Sequence, residues 1–244
     1  MKYSKLEKKI KRRITVIVFI ALLTIIIATL LFTQKIATSI GFKYAIQGVD
    51  VSHFQGDIDW NVLEKQGISF AYIKATEGSS SVDSCLNQNY QGIQNTGLEY
   101  GFYHFLSLES TPEAQLENFK AATGEYHMDL IPAIDIEWYG DERHNPPEKE
   151  EVLNSLFQMV SLFEKEYGQK PVVYTTQSYY LKYFYGEKLD FPIWIRNVYF
   201  SPFQEWAIWQ YTDRAVIDGY CGDEIYIDRD VMKDSEYKNI RLND

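Results

Sequence analysis

The run ITVIVFIALLTIIIATLLF, residues 14–32, contains no charged side chain. As a helix of about 1.5 Å per residue it reaches roughly 30 Å, the depth of bilayer hydrocarbon. A signal peptide has a shorter apolar stretch, usually about 7–15 residues, followed by a small-residue cleavage site. No such site is clear after residue 32, so an uncleaved membrane-spanning anchor over residues 14–34 is expected. Seven Lys and Arg stand before it against Glu7, whereas its near C-terminal flank holds Lys35 and Lys43. The positive-inside rule places residues 1–13 in the cytoplasm and everything beyond residue 34 outside the cell membrane, as a single-pass protein.

The net charge of −10 conceals this asymmetry: residues 1–13 carry +6, which leaves −16 for the rest. An exported portion so acidic lacks the clustered cations that phosphate backbones require, so nucleic acid is not an expected partner. Cys85 and Cys221 lie far apart in sequence; an oxidising exterior permits a disulfide, but spacing alone leaves their pairing open. Residues 35–47 read as a short tether, reaching at most about 50 Å when extended. Residues 48–244 read as one domain held close to the membrane.

Within that domain short apolar runs alternate with helical patterns. Strands are expected at 48–52, 70–76, 100–106, 131–138, 171–176, 192–197, 206–212 and 225–231. STPEAQLENFKAATG has a hydroxyl cap, an early Pro and a terminal Gly124. Residues 147–168 place Val152, Leu156, Val160 and Phe163 on one helical face and stop at Gly168. Alternation through the first five strands predicts parallel βα units. The last three strands follow too closely for full helices. The fold class expected is therefore α/β, an irregular TIM-like barrel of five βα units plus three further strands, preceded by one transmembrane helix.

In such barrels the C-terminal strand ends carry the chemistry. Those ends supply Asp50, Glu77, Tyr103, Asp135, Glu137, Tyr174, Trp194, Gln210 and Asp228. LIPAIDIEWYG is the most informative stretch: positions two apart on a strand share a face, so Asp135 and Glu137 point the same way. Neighbouring like charges raise a carboxyl pKa, and a buried carboxyl that keeps its proton can donate it to a leaving oxygen. Glu137 is assigned the acid role. Asp135 then orients another group, such as the 2-acetamido group of a sugar in substrate-assisted glycoside hydrolysis. The aromatic content of 16% fits sugar handling, and equally fits a large core.

The stretches GVDVSHFQGDIDW, FAYIKATEG, GFYHF, PAIDIEW, VVYT, WAIWQYT and IYIDRDV occur in this order between Gly48 and Val231. On these the chain resembles the glycoside hydrolase family 25 muramidases, the Chalaropsis-type lysozymes. The resemblance implies cleavage of the β-1,4 bond from N-acetylmuramic acid to N-acetylglucosamine in peptidoglycan glycan strands, without a cofactor or catalytic metal. It implies Glu137 as general acid/base, Asp135 beside the acetamido group, and Asp50 and Asp228 as supporting acids. Tyr103, Tyr174, Trp194 and Gln210 fall where the family lines its cleft, and Glu77 is either a further cleft residue or an ion-pair partner of Lys74 or Arg196.

Three positions depart from the family pattern. Ser81 replaces an aromatic or Leu, Asp230 stands where an amide is expected, and Arg196 replaces a small residue. They leave the four acids in place, but the departures around Ser81 and Asp230 keep a non-catalytic wall-binding scaffold open as a reading, and acids on the fourth strand equally suit a chitinase-like endo-N-acetylglucosaminidase. His53 and His104 are either packed histidines of the cleft floor or metal ligands beside the acids.

Overall fold

The computed structural model describes residues 2–242. Eight strands close into a barrel: β1 (Ile46–Val51), β2 (Phe70–Glu77), β3 (Glu99–Phe105), β4 (Ala133–Asp135), β5 (Val172–Thr176), β6 (Ile193–Arg196), β7 (Ile208–Ala215) and β8 (Ile227–Met232). Each pairs with its sequence neighbours, and β8 closes the ring onto β1. Pairings from β1 to β7 are parallel, whereas β8 runs antiparallel to both β7 and β1. This matches the expected five βα units and three further strands.

Helices follow the first five strands: α2 (Trp60–Lys65), α3 (Leu86–Ile93), α4 (Pro112–Thr123), α5 (Lys149–Tyr167) and the short α6 (Gln177–Tyr179), which runs into a π turn at Tyr180–Phe184. Local chemistry sets their ends. The Thr111 hydroxyl accepts from the Ala114 N–H at the start of α4, and Pro112 occupies the first turn, where no intrahelical donor is needed. Gly168 ends α5 at φ 74°, a left-handed conformation that costs glycine little. Val152, Leu156, Val160 and Phe163 all face the core from α5.

Two apolar layers result. Alternate strand residues fill the barrel interior with Phe70, Tyr72, Ala133, Val172, Trp194, Ile208 and Met232. The opposite strand faces pack outward against the helices through residues such as Ile73, Phe102, Ile134 and Val173. Gly48 is needed where β1 crosses the floor, since a Cβ there would lie 2.3 Å from the Phe70 ring.

Two sequence expectations need adjusting. The strand read as 131–138 forms a ladder only over Ala133–Asp135, although the Ile136 N–H still donates to the Tyr174 carbonyl at 3.0 Å. The segment after the apolar run is not extended: α1 (Lys2–Gly41) is one continuous helix. Its last turns lie on the barrel, with Ala37 fully buried and the Phe42 ring edge-on to Tyr211 at 5.6 Å. The reason is packing. β7 has no crossover helix of its own to cover Tyr211, so the end of α1 serves. Residues 7–41 of α1 include a stretch long and apolar enough to cross a membrane, with mean hydropathy 3.0.

Candidate active site

At the C-terminal end of the barrel a cleft of about 400 Å³ is lined by Asp50, Tyr103, Asp135, Glu137, Tyr174, Trp194 and Asp228. All four acids singled out in the sequence therefore meet. Antiparallel pairing sets Asp50 directly opposite Asp228, and parallel pairing sets Asp135 beside Tyr174 and Tyr174 beside Trp194. The backbone stays extended past Asp135, so Glu137 reaches the same cleft while Ile134 and Ile136 are buried on the other face.

Glu137 is held from both sides in sequence. Ile136 is buried, and the Trp138 indole N–H donates to the Ser178 hydroxyl at 3.0 Å. The Trp138 ring packs edge-on to Tyr179 and against Tyr183, on α6 and the π turn that follows. The tyrosine-rich stretch after β5 thus fixes the end of β4, and a π turn beside a functional group is a recurring arrangement.

The electrostatics are those of crowded, dehydrated acids. Burial lifts Asp135 well above the ordinary carboxylate range, and the neighbouring Glu137 charge lifts it further. One buried oxygen of Asp135, Oδ1, has no protein hydrogen-bond partner among the described residues. Burial also raises Glu137, but Arg196, Arg143 and Lys74 pull it back. Glu137 is thus raised less than Asp135 and is the easier of the two to ionise in the free protein. Asp50 is raised by burial and by Asp230, against a 2.6 Å hydrogen bond from the Gln210 amide. Asp228 is raised by burial and by Asp50, with Arg196 opposing.

The remaining expected residues divide by depth. Tyr174 donates to Gln210 Oε1 at 3.1 Å, so Gln210 lies beneath the cleft and joins Tyr174 to Asp50. Trp194 is nearly fully buried and forms the floor. Glu77 lies in an adjoining depression, ion-paired to Lys74 at 2.8 Å. Arg196 pairs with Asp213 instead. His104 is a packed histidine: Nδ1 bonds Thr76 at 2.7 Å, Nε2 bonds Gln115 at 3.0 Å, and burial lowers its pKa to about 4. His53 bonds Asp83 at 2.7 Å. Both cysteines are free thiols.

Sequence reasoning missed Phe54, Phe105, Asp213, Glu224 and Tyr226 in the cleft wall. Phe54 lies in a 3₁₀ turn just after β1. Asp213 sits past a strand taken to end at 212. Two register shifts between β7 and β8 re-aim side chains at that point, and no residue pattern announces them.

Known proteins share this architecture. A family 25 glycosyl hydrolase from Bacillus anthracis is 42% identical and superposes with a TM-score of 0.74, covering 81% of this chain and 94% of that one. A bacterial lysozyme from Streptomyces coelicolor is 29% identical with a TM-score of 0.68, over 80% of this chain and 95% of its own. Lysozyme M1 of Streptomyces globisporus is 32% identical over 217 residues, 81% of this chain and 71% of that protein. The model of glycosyl hydrolases family 25 matches residues 49–220. With a strand-end cleft of paired acids and these relatives, the chain belongs to glycosyl hydrolases family 25 and is a glycoside hydrolase.

Proposed function

We propose that the protein is a membrane-anchored muramidase that cuts the β-1,4 bond between N-acetylmuramic acid and N-acetylglucosamine of peptidoglycan. The observation that carries the residue assignment is that Asp135 and Glu137, two residues apart on one strand end, line the same cleft, Asp135 being 8% exposed there. The exposed edge of the Asp135 carboxyl can accept an acetamido N–H. Once Asp135 accepts it, the ionised form of Asp135 is favoured and its proton moves to Glu137. Substrate binding thereby arms the acid.

Glu137 then protonates the glycosidic oxygen as the bond to the anomeric carbon breaks. The acetamido oxygen, polarised by Asp135, closes on the anomeric carbon to form a cyclic intermediate. Water opens that intermediate, and Glu137 takes the water's proton back. Asp50 and Asp228 support the substrate from the opposite wall, and Tyr103, Tyr174 and Trp194 shape the subsite. Residues 14–34 span the membrane with the basic N-terminus in the cytoplasm. The barrel lies outside the membrane and remodels the wall locally.

The test uses the full chain in detergent on purified peptidoglycan, with Glu137→Gln alongside. Soluble products are reduced with borohydride and the reduced sugar is identified by mass spectrometry. Muramitol ends that vanish in the variant are expected. Glucosaminitol ends would reassign the bond to a glucosaminidase. Stable wall binding without product would make the protein a scaffold.

A further inference from the structure

The path of α1 over the barrel fixes which face looks at the membrane. Tyr44, just past the helix, packs on Trp206 and Trp209 near the start of β7, at ring distances of 5.5 and 6.4 Å. Gly41 lies against Tyr211, midway along β7. Leu31, Gln34 and Lys35 line a groove shared with residues 212–217 at the end of β7. The helix therefore descends from the mouth of the barrel to its floor, antiparallel to β7.

The levels agree. Gly41 to Phe32 is nine helical residues, about 13 Å. Tyr211 to Ala215 is four strand residues, also about 13 Å. The apolar run thus begins at the height where β7 ends and the cleft opens. On that side the rim presents uncovered apolar side chains beside the exposed cation Arg214: Val216 is 74% exposed and Phe200 is 49% exposed. Phe200 lies two residues beyond Val198, which lines the same groove as Leu31. Across the barrel, the loops that follow β3 and β4 carry Glu109 and Asp141, both exposed.

We infer that the catalytic mouth faces the bilayer, with Val216 and Phe200 resting in the headgroup layer. The acidic far rim stays in water and keeps the cleft open sideways. The substrate is then glycan lying at the membrane surface, not glycan deep in the wall. This rests on the anchored reading of residues 14–34, and the test separates the two.

The full chain, with Cys85 and Cys221 changed to Ser, is placed in phosphatidylcholine–phosphatidylglycerol vesicles. A fluorophore is attached in turn to Leu23→Cys in the apolar run, Val216→Cys at the mouth and Lys238→Cys on the floor. One vesicle set carries quenchers on the acyl chains, another on the headgroups. Acyl-chain quenching of the label at position 23 is expected. Headgroup quenching at position 216 should be at least twofold that at position 238. Quenching at 23 with equal or stronger quenching at 238 than at 216 would overturn the orientation while keeping the anchor. No quenching at 23 would remove the anchor, and the orientation with it.

Discussion

The Trp194 indole N–H donates to Asp230 Oδ1 at 2.7 Å, so the cleft floor hangs on a fully buried carboxyl. Burial raises the Asp230 pKa to about 8, with hydrogen bonds from Trp194 and Asp50 holding it from rising further. Near neutral pH Asp230 is thus mostly protonated. A neutral carboxyl, like a side-chain amide, brings no charge into a fully buried position. This is how an acid can occupy a position where the family resemblance leads one to expect an amide.

The sign of the pH dependence follows. The folded state holds the Asp230 proton to about pH 8, whereas the unfolded chain loses it near pH 4. The stabilisation is complete at low pH and disappears as pH rises from about 4 to about 8. Asp230→Asn should remove this loss. Its melting temperature should exceed that of the parent by several degrees at pH 8.5, and the gap should narrow toward pH 4.5. Activity at pH 6 should stay within about threefold of the parent. Parallel melting curves for the two proteins across that range would show that Asp230 titrates normally.

Arg196 stands beside both Glu137 and Asp228 and lowers the pKa of each. Arg196→Gln should therefore let both acids hold their protons to higher pH. The limb of the pH–rate profile that reports ionisation of the Asp135–Glu137 pair should move to higher pH. Arg196→Lys keeps a cation in place, so it should move the limb less. Initial rates on soluble glycan fragments from pH 4 to 9 measure this. An unmoved limb with a uniformly lower rate would make Arg196 a structural partner of Asp213 alone.

The parts of this protein legible in the sequence are those with a local period or a local cap. Thr111, Pro112 and Gly124 bound α4, and the Val152–Phe163 face marks α5, because both signals act within a few residues. Asp135 and Glu137 could be set on one face because strand geometry alone decides it. The placement of Glu77 could not be read. Whether its carboxyl meets Lys74, Arg196 or substrate depends on how β2 and β6 sit across the barrel, and it meets Lys74. Asp213 was hidden for a similar reason, since register shifts against β8 bring it to the mouth. The docking of α1 was illegible because an apolar helix reads as lipid-facing, and only the bare face of β7 calls for its last turns.

Phe54 projects from the turn after β1 and is 51% exposed in the cleft wall. A ring left open to water beside polar groups is an adhesive surface for the apolar face of a pyranose. Phe54→Ala removes that contact in ground state and transition state alike. KM for glycan should rise about five- to twentyfold with kcat within about twofold, the signature of lost uniform binding. A fall in kcat at unchanged KM would place Phe54 against the reacting ring instead.

The last turns of α1 are part of the domain's core as well as the continuation of its long apolar run. Gln47 is the joint. Its amide donates to the carbonyls of Gly41 at 3.0 Å and Tyr44 at 2.8 Å, and its oxygen accepts from Tyr211 at 3.0 Å and Arg229 at 3.2 Å. The Arg229 guanidinium lies 4.9 Å from the Phe42 ring centre. A chain starting at Lys35 keeps all of these contacts. A chain starting at Lys43 loses Ala37, Gly41 and Phe42, uncovers the Tyr211 ring and leaves Gln47 without one acceptor. Exposing that apolar surface costs about 2–4 kcal/mol at roughly 25 cal/mol per Å². In a domain of this size that is a fall of about 4–16 °C in melting temperature. Thermal melts of the two truncations, followed by near-ultraviolet circular dichroism, decide it. The chain from Lys35 should match the full chain in detergent, and the chain from Lys43 should melt lower. Equal melting of the two truncations would mean that α1 merely rests on the barrel and adds nothing to its stability.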